Sequence, residues 1–284
     1  MEFKIKENDK DLIFIISSMF VMFLFLFISI TYYLEDHYKT SIFMIELAFM
    51  SFFPYGLWNY LKLRHEWIYN QNLILFLNDL SNYVNTGMPL REAILQTARN
   101  KYGAFSSVIR DLEARLHMGF SVADSIEASF SKINYKNNKI VKTLLVIADK
   151  VGGDIGASVS QLALAFTSYI NAKKSQMAAV SSYMIIASIG YGVYLFTIAL
   201  VFDTLFPQFV KLSGGITAFG SGFSLSLVYI QQFEYYVFLS VVILGFVTGF
   251  VSSTLKENSF KSGFFYSGIY ILIAIIAQAL VWGL

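Results

Sequence analysis

The chain has 284 residues, 56% of them hydrophobic and 14% charged. Soluble domains carry about 25% charged residues, so the shortfall points to a bilayer rather than to a water-soluble fold. Cysteine is absent, which excludes a disulfide framework and a thiolate metal site. The formal charge of +2 hides a strong asymmetry along the chain.

Crossing a bilayer takes about 20 mostly apolar residues. In chain order, five segments meet this: residues 12–34, 41–61, 177–202, 233–255 and 264–284. The first is longer than a signal-peptide core and has no small-residue cleavage site after it, so a cleavable signal is not expected. The second contains Pro54 and one carboxylate, Glu46. A carboxylate within a span is costly and is often functional. Glu46 is therefore a candidate for an intramembrane polar contact with another span or a partner subunit. The competing reading places it near the outer rim, within reach of headgroups, or protonated.

Residues 62–176, between spans two and three, differ from everything around them. They hold 14 of the 21 Lys and Arg residues, and 9 acidic ones. Their apolar residues recur with helical period. Leu73, Ile74, Leu77, Leu80 and Val84 form one stripe, with Phe76 and Tyr83 widening it. Gly87 is a stop signal, because glycine takes the left-handed cap conformation cheaply. Pro89 then suits the opening of the next helix, which carries Leu90, Ala93, Ile94 and Thr97. Phe105, Val108, Ile109, Leu112 and Leu116 form a third stripe, ended by Gly119. Ser121 and Asp124 have capping-box spacing, with Asp replacing the usual Glu or Gln. A polar loop, "SKINYKNNK", is expected next. Ile140, Val141, Leu144, Leu145 and Ala148 form a fifth stripe, stopped by Gly152 and Gly153. Asp154 can cap a sixth helix with Ile155, Val159, Leu162, Ala163, Phe166 and Ile170, which can run on into the third span.

Six helices with one apolar face each bury those faces together in an antiparallel bundle. The expected fold is thus an all-α membrane protein of about five transmembrane helices with one cytoplasmic helical bundle inserted between spans two and three. Its domains are residues 1–61, with two spans; 62–176, a six-helix module; and 177–284, with three spans. Lys and Arg flanking the spans set orientation. Lys62, Arg64, Lys173, Lys174, Lys256, Lys261 and the N-terminal lysines all fall on one side of a five-span chain. The N-terminus and residues 62–176 are therefore expected in the cytoplasm, and the C-terminus outside.

Catalytic, cofactor and metal sites are not expected. "VGGDIGAS" follows a helical stripe rather than a strand and lacks the Gly-Lys-Ser/Thr ending of a nucleotide loop, so it reads as a helix break. His37, His65 and His117 have no metal spacing. No Ser or Thr stands in a nucleophile elbow. "KLSGGITAFGSGFS" reads as an outer loop, which could also contact an exported substrate.

"FLNDLSNYVNTGMPLREAI", "LHMGFSVADSI" and "ADKVGGDIGASVSQLA" together resemble the cytoplasmic module of the type II secretion and type IV pilus platform proteins. Gly87, Pro89, Leu90, Gly119, Ser121, Asp149 and Gly152 occupy the family's motif positions. Asp149 stands where many members have Glu, and Gly153 adds a second glycine. Two spans before a single module look most like the Tad-type and archaeal pilus or archaellum branch. The resemblance implies a non-enzymatic platform in the cytoplasmic membrane that couples a hexameric ATPase to pilin-like subunits. Having one module where many members have two, it also implies a homodimer or a pair with a paralogous platform subunit. No nucleic-acid partner is expected. Arg110, Arg115, Lys173 and Lys174 are candidates for ATPase-facing charge, although solvation of a helix surface explains each equally well. The rival reading is a small-molecule transporter with a regulatory cytoplasmic domain.

Overall fold

The computed structural model describes residues 7–151, 155–205, 207–208, 227–257 and 259–282. It is 89% helical and has no strand among the described residues. The helices, in order, are α1 (Glu7–Leu34), α2 (Tyr38–Met50), α3 (Phe53–Asn85), α4 (Leu90–Thr97), α5 (Ser106–His117), α6 (Val122–Phe130), α7 (Lys136–Val151), α8 (Ile155–Leu200), α9 (Leu227–Glu257) and α10 (Gly263–Trp282). Five helical stretches are long and apolar enough to cross a membrane, as the composition required. The second is broken: α2 ends at Met50, and α3 begins at Phe53. The break sits just before Pro54, whose ring and missing N–H disfavour an uninterrupted helix.

The chain divides into two compact units, one formed by residues 1–61 and 177–284 and the other by Lys62–Gln176. In the first unit, α2 packs against α1, α9 and α10, and α9 packs along α10. Small residues let backbones approach. A Cβ on Gly249 of α9 would come within 2.4 Å of the Ser267 Cα on α10, and one on Gly56 of α3 would meet the Phe265 nitrogen at 2.2 Å. Short polar contacts join the same helices. Ser29 and Ser41 hydroxyls lie 2.9 Å apart between α1 and α2, and the Ser267 hydroxyl donates to the Phe246 carbonyl at 2.8 Å. Hydroxyl and glycine contacts are how helices associate where lipid is as apolar as a leucine side chain.

The second unit is held differently. Leu73, Phe76, Leu77, Leu80, Phe105, Leu112, Leu116, Ile126 and Val141 are fully buried and share one apolar core with Val159, Phe166 and Ile170 of α8. Phe105 sits at its centre, with its ring 5.2–5.6 Å from those of Phe76, Tyr69 and Phe130. Sequence-adjacent helices pack together, α4 on α5, α5 on α6 and α6 on α7.

The fifth stripe departs from expectation. Val141 and Leu145 are buried, but Ile140 and Leu144 are 42% and 43% exposed, and Ile147 is 49% exposed. The apolar arc of α7 is wider than its neighbours cover, which leaves Ile140, Leu144 and Ile147 as an i, i+4, i+7 row on the outside. The loop expected over residues 131–139 is also shorter than its composition suggested, because α7 already begins at Lys136.

Candidate functional site

Two glycine motifs of the second unit, at Gly87 and Gly119, are helix ends. Gly87 and Gly119 have φ of +85° and +89°. After α5, the Gly119 N–H donates to the Leu116 carbonyl (3.1 Å), and the Phe120 N–H donates to the Arg115 carbonyl (3.2 Å). This pair of bonds is the Schellman closure that a left-handed residue allows. Arg91 donates to the same Leu116 carbonyl at 2.5 Å, so a cation caps the negative end of α5. Pro89 immediately precedes α4, whose first residue, Leu90, is buried. The Ala93 N–H donates to the Pro89 carbonyl at 2.9 Å. Ser121 caps α6: its hydroxyl accepts from the Asp124 N–H at 3.1 Å and donates to the Asp124 carboxylate at 2.5 Å. Asp124 thus grips the capping hydroxyl. Asp149 is half-buried in the last turn of α7, and Gly152 and Gly153 lie outside the described residues, as does the loop at 211–224.

The four candidate cations fall into different environments. Arg110 and Lys174 are exposed. Arg115 donates through Nε to Asp111 at 3.1 Å, and Lys132 reaches the same carboxylate at 2.8 Å. Lys132, aided by Arg115, holds the Asp111 carboxyl at about 2, well below its ordinary range. Lys173 lies over the Trp67 ring, 5.5 Å from its centroid, so α8 and α3 meet through a cation–π contact. Arg110 and Lys174 present exposed cationic heads, whereas Arg115 and Lys173 work within the unit.

Several organising residues carried no sequence signal. Asn138, inside the supposed loop, is fully buried. Its Nδ2 donates to the carbonyls of Phe130 (2.6 Å) and Ile133 (2.9 Å), and its Oδ1 accepts from Tyr69 (2.7 Å). This one amide ties the α6–α7 turn to α3. Asp79 accepts from the Tyr102 hydroxyl at 2.7 Å and from Asn100 at 3.1 Å, fixing the segment before α5 on α3. Burial, reinforced by Asp79, pushes the Tyr102 phenol above its usual range. Gly103 is the third left-handed glycine, with φ +48°, and a Cβ there would meet the Asn72 amide at 2.8 Å.

In the first unit, Glu46 is 1% exposed. The Gln278 amide of α10, with Nε2 turned inward, donates to both carboxylate oxygens, at 2.9 and 2.6 Å. Nearby, the Tyr191 hydroxyl of α8 donates to backbone carbonyls of Val241 and Tyr270 at 3.4 and 3.3 Å. Among the described residues, no group of three His, Cys, Asp or Glu side chains is placed to hold a metal.

Residues 76–202 match the family model described as Type II secretion system (T2SS), protein F. No curated protein and no solved structure gives a significant match. The matched stretch opens within α3 and closes just after α8, so it takes in most of the aliphatic core, every glycine motif and most of the third apolar span. The chain carries this protein F domain together with five span-length apolar helices, and the two features support its membership, as a multi-pass membrane protein, of the type II secretion and type IV pilus platform family.

Proposed function

We propose that the chain is a non-enzymatic platform subunit in the cytoplasmic membrane of a type IV pilus-like or type II secretion-like assembly machine, of the Tad-type or archaeal branch. It couples a cytoplasmic hexameric ATPase to the insertion or extraction of pilin-like subunits. The observation that carries this reading is the protein F domain over residues 76–202. Two further features support it. The basic residues flanking the spans favour a cytoplasmic position for residues 62–176 and the N-terminus, with the C-terminus outside. The surplus of Lys and Arg over residues 62–176 suits encounter with an acidic partner surface, and Arg110 and Lys174 are among its exposed members.

Pairing of two subunits, identical or paralogous, belongs to the same proposal. The exposed row Ile140, Leu144 and Ile147 supports it, since an apolar row on a charged helical unit is better covered than left in water. The test is co-purification of the full chain, in detergent at low salt, with a secretion-type hexameric ATPase. Retention that weakens with salt and with Arg110→Glu plus Lys174→Glu is expected. No retention of the ATPase by a folded chain would overturn the coupling role.

A further inference from the structure

A small cavity of about 210 Å³, lined by charged and aromatic side chains, opens in the membrane unit between the α1–α2 turn and the first turns of α9. Its lining is chemically two-sided. Asp36 and Glu234 bring carboxylates, while His37 and Lys39 bring nitrogen donors. Tyr38 and Tyr235 form an aromatic wall with their rings 6.0 Å apart, and Tyr33 packs against both at 5.4 and 5.0 Å. Asp36 has φ of +62°, alone among the described non-glycine residues in that region, and its carboxylate accepts from the Tyr38 hydroxyl at 2.6 Å. The turn therefore holds this carboxylate against the tyrosines in a conformation that most side chains avoid.

Position narrows the ligand. Asp36 to Lys39 lie between the first apolar span, Leu12–Leu34, and the body of the second, and Glu234 lies in the opening turns of the span Gln231–Glu257. The cavity is thus at the end of three spans, at the depth of lipid headgroups. Its volume is below the roughly 300–1,000 Å³ of drug-sized sites. The flanking helix faces are apolar and uncovered: Leu34 is 75% exposed and Phe233 51%. We propose that this cavity binds the headgroup of a zwitterionic phospholipid. The ammonium sits between the Asp36 and Glu234 carboxylates against the tyrosine rings, the phosphate is held by Lys39 and His37, and the acyl chains lie along α1 and α9. A quadrupole face and a carboxylate both attract an ammonium, and the adjacent Lys39 charge balances the phosphate. The inference rests on the chain spanning a membrane and does not depend on its partner or on which leaflet is involved.

The test uses the full chain, delipidated in detergent, with lipid binding read by native mass spectrometry and by the shift in melting temperature. Dioleoyl phosphatidylethanolamine is expected to bind about tenfold more tightly than dioleoyl phosphatidylglycerol. Asp36→Asn combined with Glu234→Gln is expected to abolish that preference while phosphatidylglycerol binding persists; asparagine tolerates the positive φ at position 36. Lys39→Gln, as an independent variant, is expected to weaken binding of both lipids. Equal binding of the two lipids by the parent chain, or an unchanged preference in the double variant, would overturn the proposal. Glycerophosphoethanolamine competing as well as the intact lipid would overturn it too, in favour of a soluble zwitterion.

Discussion

The two units of this molecule are built from the same element and held together by a different balance of contacts. In Lys62–Gln176, aliphatic and aromatic side chains meet in a sealed core, and polar residues work at the edges as caps and ties. In the membrane unit, large apolar residues such as Phe20, Phe27, Ile186 and Phe196 are 65–70% exposed, and helices meet through glycine, serine and tyrosine around a smaller apolar cluster that includes Ile42, Leu195 and Val242. The difference follows from solvent. Water expels apolar surface, so one face of each helix must hide. Lipid does not, so association depends on close backbone approach and on hydrogen bonds.

Perturbations that hit each mode separately sharpen this contrast. The largest effect is expected from Asn138→Ala, which strands the buried Tyr69 hydroxyl and takes a donor from the Phe130 and Ile133 carbonyls. At about 1–3 kcal/mol for each stranded group, discounted for relaxation, roughly 3 kcal/mol is lost. Hydrogen exchange of the full chain in detergent should show α6 and α7 deprotected and α9 and α10 unchanged. The mirror experiment is Gly249→Ala, which drives a methyl into the Ser267 backbone and forces α9 from α10, at about 1–3 kcal/mol. Its control is Gly190→Ala on α8, where a Cβ meets nothing within 4 Å and no loss is expected. Thermal denaturation in detergent separates the two; equal behaviour would show that close approach is not what holds the membrane helices.

Gly119→Ala is smaller. There is room for its methyl, so only the left-handed backbone conformation is penalised, by about 1–2 kcal/mol. The weakest handle is acid. Asp111, with its carboxyl lowered to about 2, contributes stability that is complete above the ordinary aspartate value of about 3.9 and is lost as pH falls through its folded value. The pairs are at the surface, so the amount is below about 1 kcal/mol. Asp111→Asn should flatten the stability of the second unit between about pH 4 and 2 without moving that of the membrane helices.

Much of this was legible in the chain. Length and hydropathy dictated five span-length helices, because about 20 apolar residues in a row have few other destinations. The stripes at Leu73–Leu80 and Phe105–Leu116 predicted the core, and Gly87 and Gly119 marked helix ends, because period and positive φ are local properties. Tertiary structure alone decided the rest. Asn138 lay within an expected polar loop and Asp79 carried no signal, because their roles depend on Tyr69 and Tyr102, far along the chain. Ile140 and Leu144 carry the same periodicity as Val141 and Leu145, yet only the second pair found a neighbour. Glu46 could be singled out as a carboxylate within a span, but not its partner Gln278, 232 residues further along the chain. Periodicity and backbone preference are written residue by residue; which faces meet, and which polar groups complete one another, is fixed only when distant helices pack.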